Sequence, residues 1–373
     1  MPCLFSDNIA PQICDNINLL FKNFSHSSLQ QNLIQIDALK KVEKGGETLR
    51  IEIQMPFAWE LGFEDLKTEL TQPLEAVTNC THIKWILKNN IATLKRANAH
   101  PPVKGVKNII AVTSGKGGVG KSTVSVNLAL ALQALGAKVG ILDADIYGPS
   151  IPLMLGAADQ RPTSPDNKHI NPIVAHGLVA NSIGFLMDAE NATIWRGPMA
   201  SSALNQLLQE TLWAKHGELD YLIIDMPPGT GDIQLTLSQQ IPVTGAIVVT
   251  TPQDIALLDA VKGIAMFNKV SVPVLGIVEN MSVHICSQCG HHEAIFGTGG
   301  AEKMAEKYNV QLLSQQPLHI QLREDMDNGT PTVVNHPESE IAQSFLQLAQ
   351  KVAAELYWQG QVIPGEILFT EVN

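Results

Sequence analysis

The sequence predicts an α/β fold in which a doubly wound, mostly parallel sheet follows a small α+β domain. From Asn108 onward, short apolar runs alternate with amphipathic helical segments, and a glycine-rich segment joins the first such run to the first helix. Buried strands separated by helices are typical of doubly wound sheets. The pattern before this region is different, and it ends in the Pro/Gly/Lys-rich stretch ANAHPPVKGVK. We therefore assign residues 1–95 to the small domain, 96–107 to a linker and 108–373 to the large domain.

The small domain is predicted from short-range periodicity. Apolar and polar residues alternate over Ile34–Ala38 and again over Leu49–Ile53, with Gly45-Gly46 between them as a turn, which predicts a β-hairpin. Helical spacing over Phe63–Val77 predicts a helix with a break or kink at Pro73. A further strand is predicted over His82–Leu87.

In the large domain, apolar runs and helical periodicity predict strands and helices in alternation. The predicted strands are Ile109–Val112, Val139–Leu142, Tyr221–Ile224, Ala246–Val249 and Val274–Val278. The predicted helices are Lys121–Leu135, Ser201–Leu212, Ile233–Gln239, Ile255–Val270 and Ala301–Tyr308.

Composition excludes several classes of protein. The formal net charge of −11 comes with no basic block, so we expect no nucleic-acid partner, because phosphate neutralisation needs clustered Lys and Arg. No apolar run is long enough to cross a bilayer, so we expect no membrane partner. The first residues carry two acids and no basic region, unlike a secretory signal, so the expected location is cytoplasmic.

The glycine-rich segment fits the pattern G-x-x-x-x-G-K-[ST] between a predicted strand and a predicted helix. Its glycines let backbone amides turn toward phosphate oxygens without a clash from a Cβ atom. We expect Lys121 to neutralise the β- and γ-phosphates of ATP and Ser122 to bind Mg²⁺. The predicted nucleotide-binding residues of this segment are Gly115, Lys116, Gly117, Gly118, Val119, Gly120, Lys121, Ser122 and Thr123.

Two acidic strand ends complete the predicted phosphate site. Asp225 ends an apolar strand before a Gly-rich loop, where a carboxylate can hold a Mg²⁺-bound water, so it is predicted to bind magnesium with Ser122. Asp143 and Asp145 end a second strand. Asp143 is predicted to lie at the nucleotide, and Asp145 is the candidate catalytic residue that orients the attacking water. The alternative role for both acids is helix capping or a turn.

The run KGGVGKST, with Lys116 at its start, resembles the deviant Walker A motif of the MinD/ParA/nitrogenase-iron-protein class. In that class the early lysine crosses a dimer interface, so the resemblance implies that Lys116 acts in trans on the partner's phosphates, as an arginine finger does. Asn280 similarly resembles the adenine-facing Asn of this class, which favours ATP over GTP.

Cys286 and Cys289 form a C-x-x-C pair after the strand that ends near Asn280. Two thiolates satisfy neither Zn²⁺ nor an iron–sulfur cluster. The pair can meet its copy across a two-fold axis and hold one 4Fe–4S cluster, or His284, His291 or His292 can complete a Zn²⁺ site. A dithiol redox motif is disfavoured because such motifs usually open a helix. From spacing alone, the first two arrangements stay open.

An ordered set of motifs extends the resemblance. GKGGVGKST, LDADIYGPS, WRGPM, DMPPGTGD, TPQDIAL and ENMSVHICSQCG together resemble the Mrp/ApbC proteins, which are bacterial iron–sulfur cluster carriers. The match runs from about Lys104 to Pro364. It implies a homodimeric ATPase whose C-x-x-C cysteines bridge a labile 4Fe–4S cluster between subunits, with apo iron–sulfur proteins as recipients. ATP hydrolysis is then expected to be slow, as in a switch.

Alternatives from other classes are a ParA/MinD-like positioning ATPase and a zinc-stabilised regulatory nucleotidase. The first needs a basic face or an amphipathic anchor, and the tail from Glu355 has no basic stripe and is interrupted by Gly360 and Pro364. Arg196 can touch phosphate or the partner subunit, or form a structural salt bridge. Cys3, Cys14 and Cys80 are interpreted as ordinary thiols, with Cys80 in packing.

Overall fold

Residues 3–90 form a four-stranded sheet covered by two helices. The computed structural model describes residues 3–98, 100–186 and 197–364. The strand order is β1-β2-β3-β4, with β2 and β3 antiparallel and the outer pairs parallel. The elements are β1 (Leu4–Phe5), α1 (Pro11–Asn23), β2 (Leu39–Gly45), β3 (Thr48–Met55), α2 (Glu60–Thr78) and β4 (His82–Asn89).

The predicted hairpin exists, but its first strand was placed too early. Gly46 has a φ of 59° and turns the chain between β2 and β3, as the Gly-Gly pair predicted. The alternating segment Ile34–Ala38 is not a strand, because it forms turns closed by local backbone bonds such as Asp37 N to Ile34 O. Asp37 has a φ of 55°, which no strand residue adopts. A segment of five residues is too short for apolar-polar alternation to distinguish a β-strand from a series of turns.

Pro73 lies inside α2 and does not end it, so the predicted helix exists and its predicted break does not. Proline removes one backbone bond from a helix. The apolar face of α2 offsets that loss, because it is buried on both sides of Pro73, through Phe63, Leu66, Leu70 and Leu74. The predicted strand after this helix corresponds to β4.

The large domain is built on an eight-stranded sheet in the order β14-β11-β10-β5-β9-β6-β8-β7, parallel except for β7 at the edge. This confirms the doubly wound, mostly parallel α/β fold. Its strands are β5 (Val106–Ser114), β6 (Val139–Asp143), β7 (Ile173–Ala175), β8 (Leu178–Ser182), β9 (Leu219–Asp225), β10 (Gly245–Thr250), β11 (Val274–Glu279) and β14 (Leu312–Gln315). A separate hairpin contains β12 (His284–Ile285) and β13 (His292–Glu293).

Helices cover both faces of the sheet. Ile110 and Val112 of β5 face a core shared with the helix that follows the glycine-rich segment Gly115–Thr123, called the P-loop below. Ile109 and Ala111 face a second core on the other side of the sheet. The helices are α3 (Lys121–Ala134), α4 (Ile151–Met154), α5 (Gly197–Glu210), α6 (Asp232–Gln240), α7 (Asp254–Lys269), α8 (Gly300–Tyr308), α9 (Ile320–Asp327), α10 (Thr332–Asn335) and α11 (Glu340–Gln359). Every predicted strand and helix of this domain matches an element. The elements that were not predicted are β7, β8, β12, β13, β14, α4 and α9 to α11 here, and β1 and α1 in the small domain.

The small and large units share one hydrophobic core. Phe57 packs against Tyr357 and Trp358 of α11, with ring centroids 5.3 and 6.1 Å apart. The Gly62 N–H donates to Gln350 Oε1 at 2.9 Å, and Trp358 Nε1 donates to Ser28 O at 2.8 Å. Between the units, β5 begins at Val106, two residues inside the predicted linker. The division at 95 and 108 stays a prediction.

Candidate nucleotide site and cysteine hairpin

The P-loop joins the central strand β5 to α3, and two of its glycines are required for different reasons. Gly120 precedes α3 with a φ of 79°, which L residues rarely adopt, and a Cβ there would overlap with Asn280 Nδ2. Gly115 has an ordinary φ, but a Cβ there would overlap with the backbone of Asp259 in α7. The loop is therefore pressed between α7 and the end of β11.

Asp225 is the hub of the site. It is fully buried at the end of β9, and Lys121 Nζ lies 2.7 Å from its Oδ1. Ser122 Oγ donates to Asp225 Oδ2 at 2.6 Å. Parallel pairing places Val112 of β5 opposite Asp225, so the P-loop and the acid leave the sheet at the same edge. The structure thus brings together the three residues predicted for phosphate and magnesium.

Ser125 also contacts this hub, and sequence reasoning missed it. Its Oγ donates to Asp225 Oδ1 at 2.7 Å and lies one helical turn after Lys121, on the same face of α3. That i, i+4 spacing was the available signal. The hydroxyl of Ser122 and the carboxylate of Asp225 are oxygen groups of the kind that Mg²⁺ prefers, so these residues fit this cofactor, and their binding of Mg²⁺ stays a prediction.

Asp143 organises the loop after β6. Its Oδ1 accepts from Asp145 N at 3.1 Å, and its Oδ2 accepts from Ile151 N at 3.2 Å and from Ser182 Oγ at 3.0 Å. Burial, together with the nearby Asp225 charge, raises the pKa of Asp143 to about 7. The structure therefore supports the turn role that was the alternative for Asp143, and its contact with nucleotide stays a prediction.

Asp145 is only partly buried, two residues further along this loop. Burial is the main cause of its raised pKa, and the Asp225 charge adds to it against the opposing charge of Lys121. A carboxylate with a raised pKa near the phosphate site suits a group that orients and polarises water. The catalytic role of Asp145 stays a prediction.

Lys116 is half-buried at the start of the P-loop, where its carbonyl accepts from Ser114 Oγ at 2.9 Å. Within the described parts of the chain its ammonium group forms no ion pair, whereas Lys121 is paired with Asp225. The two lysines of the motif thus differ: Lys121 is paired in the buried centre, whereas Lys116 has no ion pair among the described residues, and its action in trans stays a prediction.

Asn280 lies directly after β11 and is 3% exposed. Its Nδ2 donates to Val119 O of the P-loop at 2.8 Å. The amide nitrogen therefore holds the P-loop backbone here, a contact that the motif did not predict. A role in adenine recognition stays a prediction.

Cys286 and Cys289 lie at the turn of the β12–β13 hairpin. Cys286 N donates to His291 O at 3.0 Å, and Gly290 N donates to Cys286 O at 2.8 Å, which folds the turn around the sulfur atoms. Backbone N–H groups of Gln288 and Cys289 lower the pKa of the Cys286 thiol. Cys289 is exposed and Cys286 is partly exposed, so solvent reaches the pair at a turn that stabilises the Cys286 thiolate.

The neighbouring histidines do not complete a site with this pair. Among residues 3–98, 100–186 and 197–364, no group of three or more His, Cys, Asp or Glu side chains is arranged to hold a metal ion. His284, His291 and His292 are close to the pair in sequence, but within the described ranges none of them belongs to such a group. The geometry therefore does not support the Zn²⁺ alternative within one chain.

The remaining cysteines lie in the small domain. Cys80 is 3% exposed in the hydrophobic core, in agreement with a packing role. Cys3 and Cys14, scattered in sequence, line one cavity of about 440 Å³. Arg196 lies outside the described residues. None of the described helices combines the length and apolar character needed to span a bilayer.

The fold and the site define a P-loop NTPase. A strand, the P-loop and a helix lie at the centre of a doubly wound sheet, with an acidic strand end beside them. Comparison with known proteins narrows this class. The family model described as "ParA: NUBPL iron-transfer P-loop NTPase" matches residues 105–353. The chain belongs to this family.

Relatives are similar over much or all of the chain. The "iron-sulfur cluster carrier protein" of Haemophilus influenzae is 73% identical over 373 residues, all of both chains, and that of Escherichia coli K12 is 67% identical over 94% of both. The mouse "iron-sulfur cluster transfer protein NUBPL" is 49% identical over 68% of this chain and 79% of its own. A nucleotide-binding protein from Archaeoglobus fulgidus, solved with ADP, is 37% identical with a TM-score of 0.56, covering 65% of this chain and 93% of its own.

Proposed function

We propose that this protein is a homodimeric ATPase that carries a 4Fe–4S cluster and transfers it to apo iron–sulfur proteins. The solvent-accessible pair of Cys286, which is partly exposed, and Cys289, which is exposed, carries the proposal. A 4Fe–4S cluster takes four thiolates, and one hairpin supplies two. Two copies of the hairpin across a two-fold axis supply the full set, with the cluster near the surface of both subunits.

A shared, exposed cluster suits a donor. Each subunit holds the cargo by half of its ligands, so an acceptor's thiolates can replace them in steps, by exchange at the iron atoms. The names of the relatives from Haemophilus influenzae and mouse, a carrier and a transfer protein, support delivery as the output. We propose a cytoplasmic location for this exchange, on the sequence expectation alone.

ATP with Mg²⁺ is the proposed signal rather than the source of chemical work on the cluster. Lys121, Ser122 and Asp225 would hold the phosphates and the metal in cis, and Lys116 would reach the phosphates of the partner subunit. Hydrolysis is then limited by dimer geometry and is slow, as in a switch. The ion pair between Lys121 and Asp225 has to open when phosphate arrives, which supports a two-state site.

Anaerobic reconstitution with iron and sulfide tests the carrier proposal. We expect about one 4Fe–4S cluster per dimer in the wild type, and none in Cys286→Ala or Cys289→Ala, because each change removes two of the four ligands of a bridging cluster. Absorption, iron and sulfide content and native mass measure the outcome.

Cys14→Ala is the matched control, because it removes a half-buried thiol from the small domain. It should reconstitute as the wild type does. A cluster that persists without both hairpin cysteines, or one cluster per monomer, would contradict the bridging site. Transfer to an apo-ferredoxin then tests delivery.

A further inference from the structure

Asn280 joins the phosphate loop to the segment that carries the cysteines. In a P-loop the amide N–H groups face the phosphate, and the peptide unit is rigid. The carbonyl oxygen of the Val119–Gly120 peptide points the other way and accepts from Asn280 Nδ2 at 2.8 Å. Any rotation of that peptide toward a phosphate must therefore move or break the bond to Asn280.

The chain from Asn280 to Cys286 is only six residues long, at most about 20 Å if extended. It is hydrogen-bonded throughout: Asn280 N to Thr250 O, Ser282 N to Gln316 O, and Ile285 N to Leu318 O, at 2.8, 2.9 and 3.1 Å. Met281, the residue after Asn280, has a φ of 56°. A left-handed non-glycine residue persists only when its surroundings hold it, so the chain turns in a fixed direction directly after Asn280.

Glu279 ties both ends of the cysteine-bearing loop to the end of β11. Its buried carboxylate accepts from Ser282 Oγ at 2.8 Å near the start of the loop. Its other oxygen accepts from Ala301 N at 3.2 Å, where α8 begins after the loop. Glu279 therefore ties both ends of the segment 280–300 to the end of β11, next to the residue that contacts the P-loop.

We propose that Asn280 is a positioning residue that transmits the state of the phosphate loop to Cys286 and Cys289 within one subunit. This inference deepens the proposed function and rests on it for its biological meaning. The connection runs through the backbone of a single chain, so it does not require a change at the dimer interface. Nucleotide binding then changes the exposure of the sulfur atoms even before a partner is considered.

Alkylation of the cluster-free protein tests this connection. Rates at the C-x-x-C pair are measured with iodoacetamide under anaerobic, reducing conditions, resolved by peptide mass. Each protein is compared without nucleotide and with a non-hydrolysable ATP analogue plus Mg²⁺, at saturation established for that protein. We expect about a fivefold change in the wild type, the lower range of allosteric coupling, and a ratio near one in Asn280→Ala.

Two further variants define the result. Asn280→Asp keeps the size of the side chain but cannot donate to Val119 O, so it should also abolish the nucleotide effect, and it replaces the alanine variant if that one does not fold. Ser282→Ala loosens the loop at its bond to Glu279 without touching the P-loop. It should alter both rates and keep the wild-type ratio.

Three outcomes overturn the inference: no nucleotide effect in the wild type, an effect that survives in both Asn280 variants, or an effect that disappears in Lys116→Ala. The last would place the coupling across the dimer. Because these measurements use cluster-free protein, they fail independently of the carrier proposal. If no bridging cluster forms but the nucleotide effect on alkylation is present, the carrier proposal is wrong and the role of Asn280 stands. If the bridging cluster forms but nucleotide has no effect on alkylation, the role of Asn280 is wrong and the carrier proposal stands.

Discussion

Asp225 shows how single residues define the site. Its two carboxylate oxygens gather Lys121, Ser122 and Ser125, three positions of one helix, at a strand end with no exposure to solvent. Burying an unpaired charge is costly, so these contacts stabilise the buried ammonium group of Lys121 as well as the carboxylate of Asp225. The arrangement places Lys121 in the buried site of its own chain, whereas the action of Lys116 on a partner stays a prediction.

The first prediction at the residue scale separates action in trans from action in cis. Heterodimers of Lys116→Ala and Asp145→Asn subunits, purified by two tags, should hydrolyse ATP at about half the wild-type rate, since one site regains Lys116 from the partner and keeps its own Asp145. Each homodimeric variant should be nearly inactive. Steady-state phosphate release measures the rates.

The control heterodimer pairs a wild-type subunit with a Lys116→Ala, Asp145→Asn double variant. Action in trans leaves neither of its sites intact, so it should be inactive. Activity in this control, with none in the mixed single variants, would show that Lys116 works in its own subunit.

The second residue-scale prediction concerns thiol reactivity and pH. Backbone N–H groups lower the pKa of Cys286, whereas burial, with Cys14 nearby, raises the pKa of Cys3 to about 11. At pH 8 the thiolate fraction of Cys3 is about one in a thousand, so Cys286 should be alkylated first. The rate at Cys3 should rise about tenfold per unit between pH 8 and 10, while that at Cys286 levels off earlier. Peptide-resolved mass spectrometry measures both, and similar pH profiles would contradict the role of the hairpin amides.

At the scale of elements, the P-loop is held by its neighbours as much as by its motif. Gly118 and Gly120 have similar left-handed φ values, 82° and 79°. A Cβ at Gly118 meets no atom within 4 Å, whereas one at Gly120 overlaps with Asn280. Gly118 is therefore required only for its left-handed backbone conformation, whereas Gly120 is required both for that conformation and for the close approach of Asn280.

This difference predicts unequal costs for the same substitution. Gly118→Ala should lower the free energy of unfolding of the nucleotide-free protein by about 1–2 kcal/mol, the cost of a left-handed alanine. Gly120→Ala should cost at least about 1 kcal/mol more, because Asn280 must move. Urea unfolding without nucleotide measures both values. Equal losses in the free energy of unfolding would show that Asn280 can move away from position 120 at little cost.

At the scale of the whole molecule, the small domain and the ATPase domain form one core. Phe57 and Gly62 of the small domain contact α11, which itself packs along α3, the helix that follows the P-loop. Asn89 Nδ2 also donates to Leu135 O at the end of α3, at 3.1 Å. The small domain is therefore linked to α3 in two ways, directly through Asn89 and indirectly through α11.

A shared core predicts cooperative unfolding. Phe57→Ala should lower the free energy of unfolding by about 3–5 kcal/mol and keep a single transition for both domains, because the cavity opens at their junction. Leu19→Ala, at an exposed position of α1, should change it by less than about 0.5 kcal/mol. Fluorescence and far-UV circular dichroism in urea should coincide. An earlier, separate transition of the small domain would contradict the shared core.

The sequence by itself determined the parts of the molecule that depend on local pattern. Buried parallel strands read as apolar runs, so β5, β6, β9, β10 and β11 were predicted, and the P-loop motif placed Lys121 and Ser122 near Asp225. These predictions succeed because strand burial and phosphate binding use residues adjacent in the chain. The short strands β7 and β14 and the turn at Ile34–Ala38 offered too few residues for a clear period.

Only the tertiary structure decided which distant groups meet. The Asp143 carboxylate accepts hydrogen bonds from Ile151 and Ser182, and Asn280 holds the P-loop through Val119. Among the described residues, the histidines near Cys286 form no metal-binding group with the two cysteines. The joining of the two domains through α11 likewise has no local signal. Hydrogen bonds and packing between segments far apart in the chain leave no periodicity, because their partners are selected by the fold as a whole.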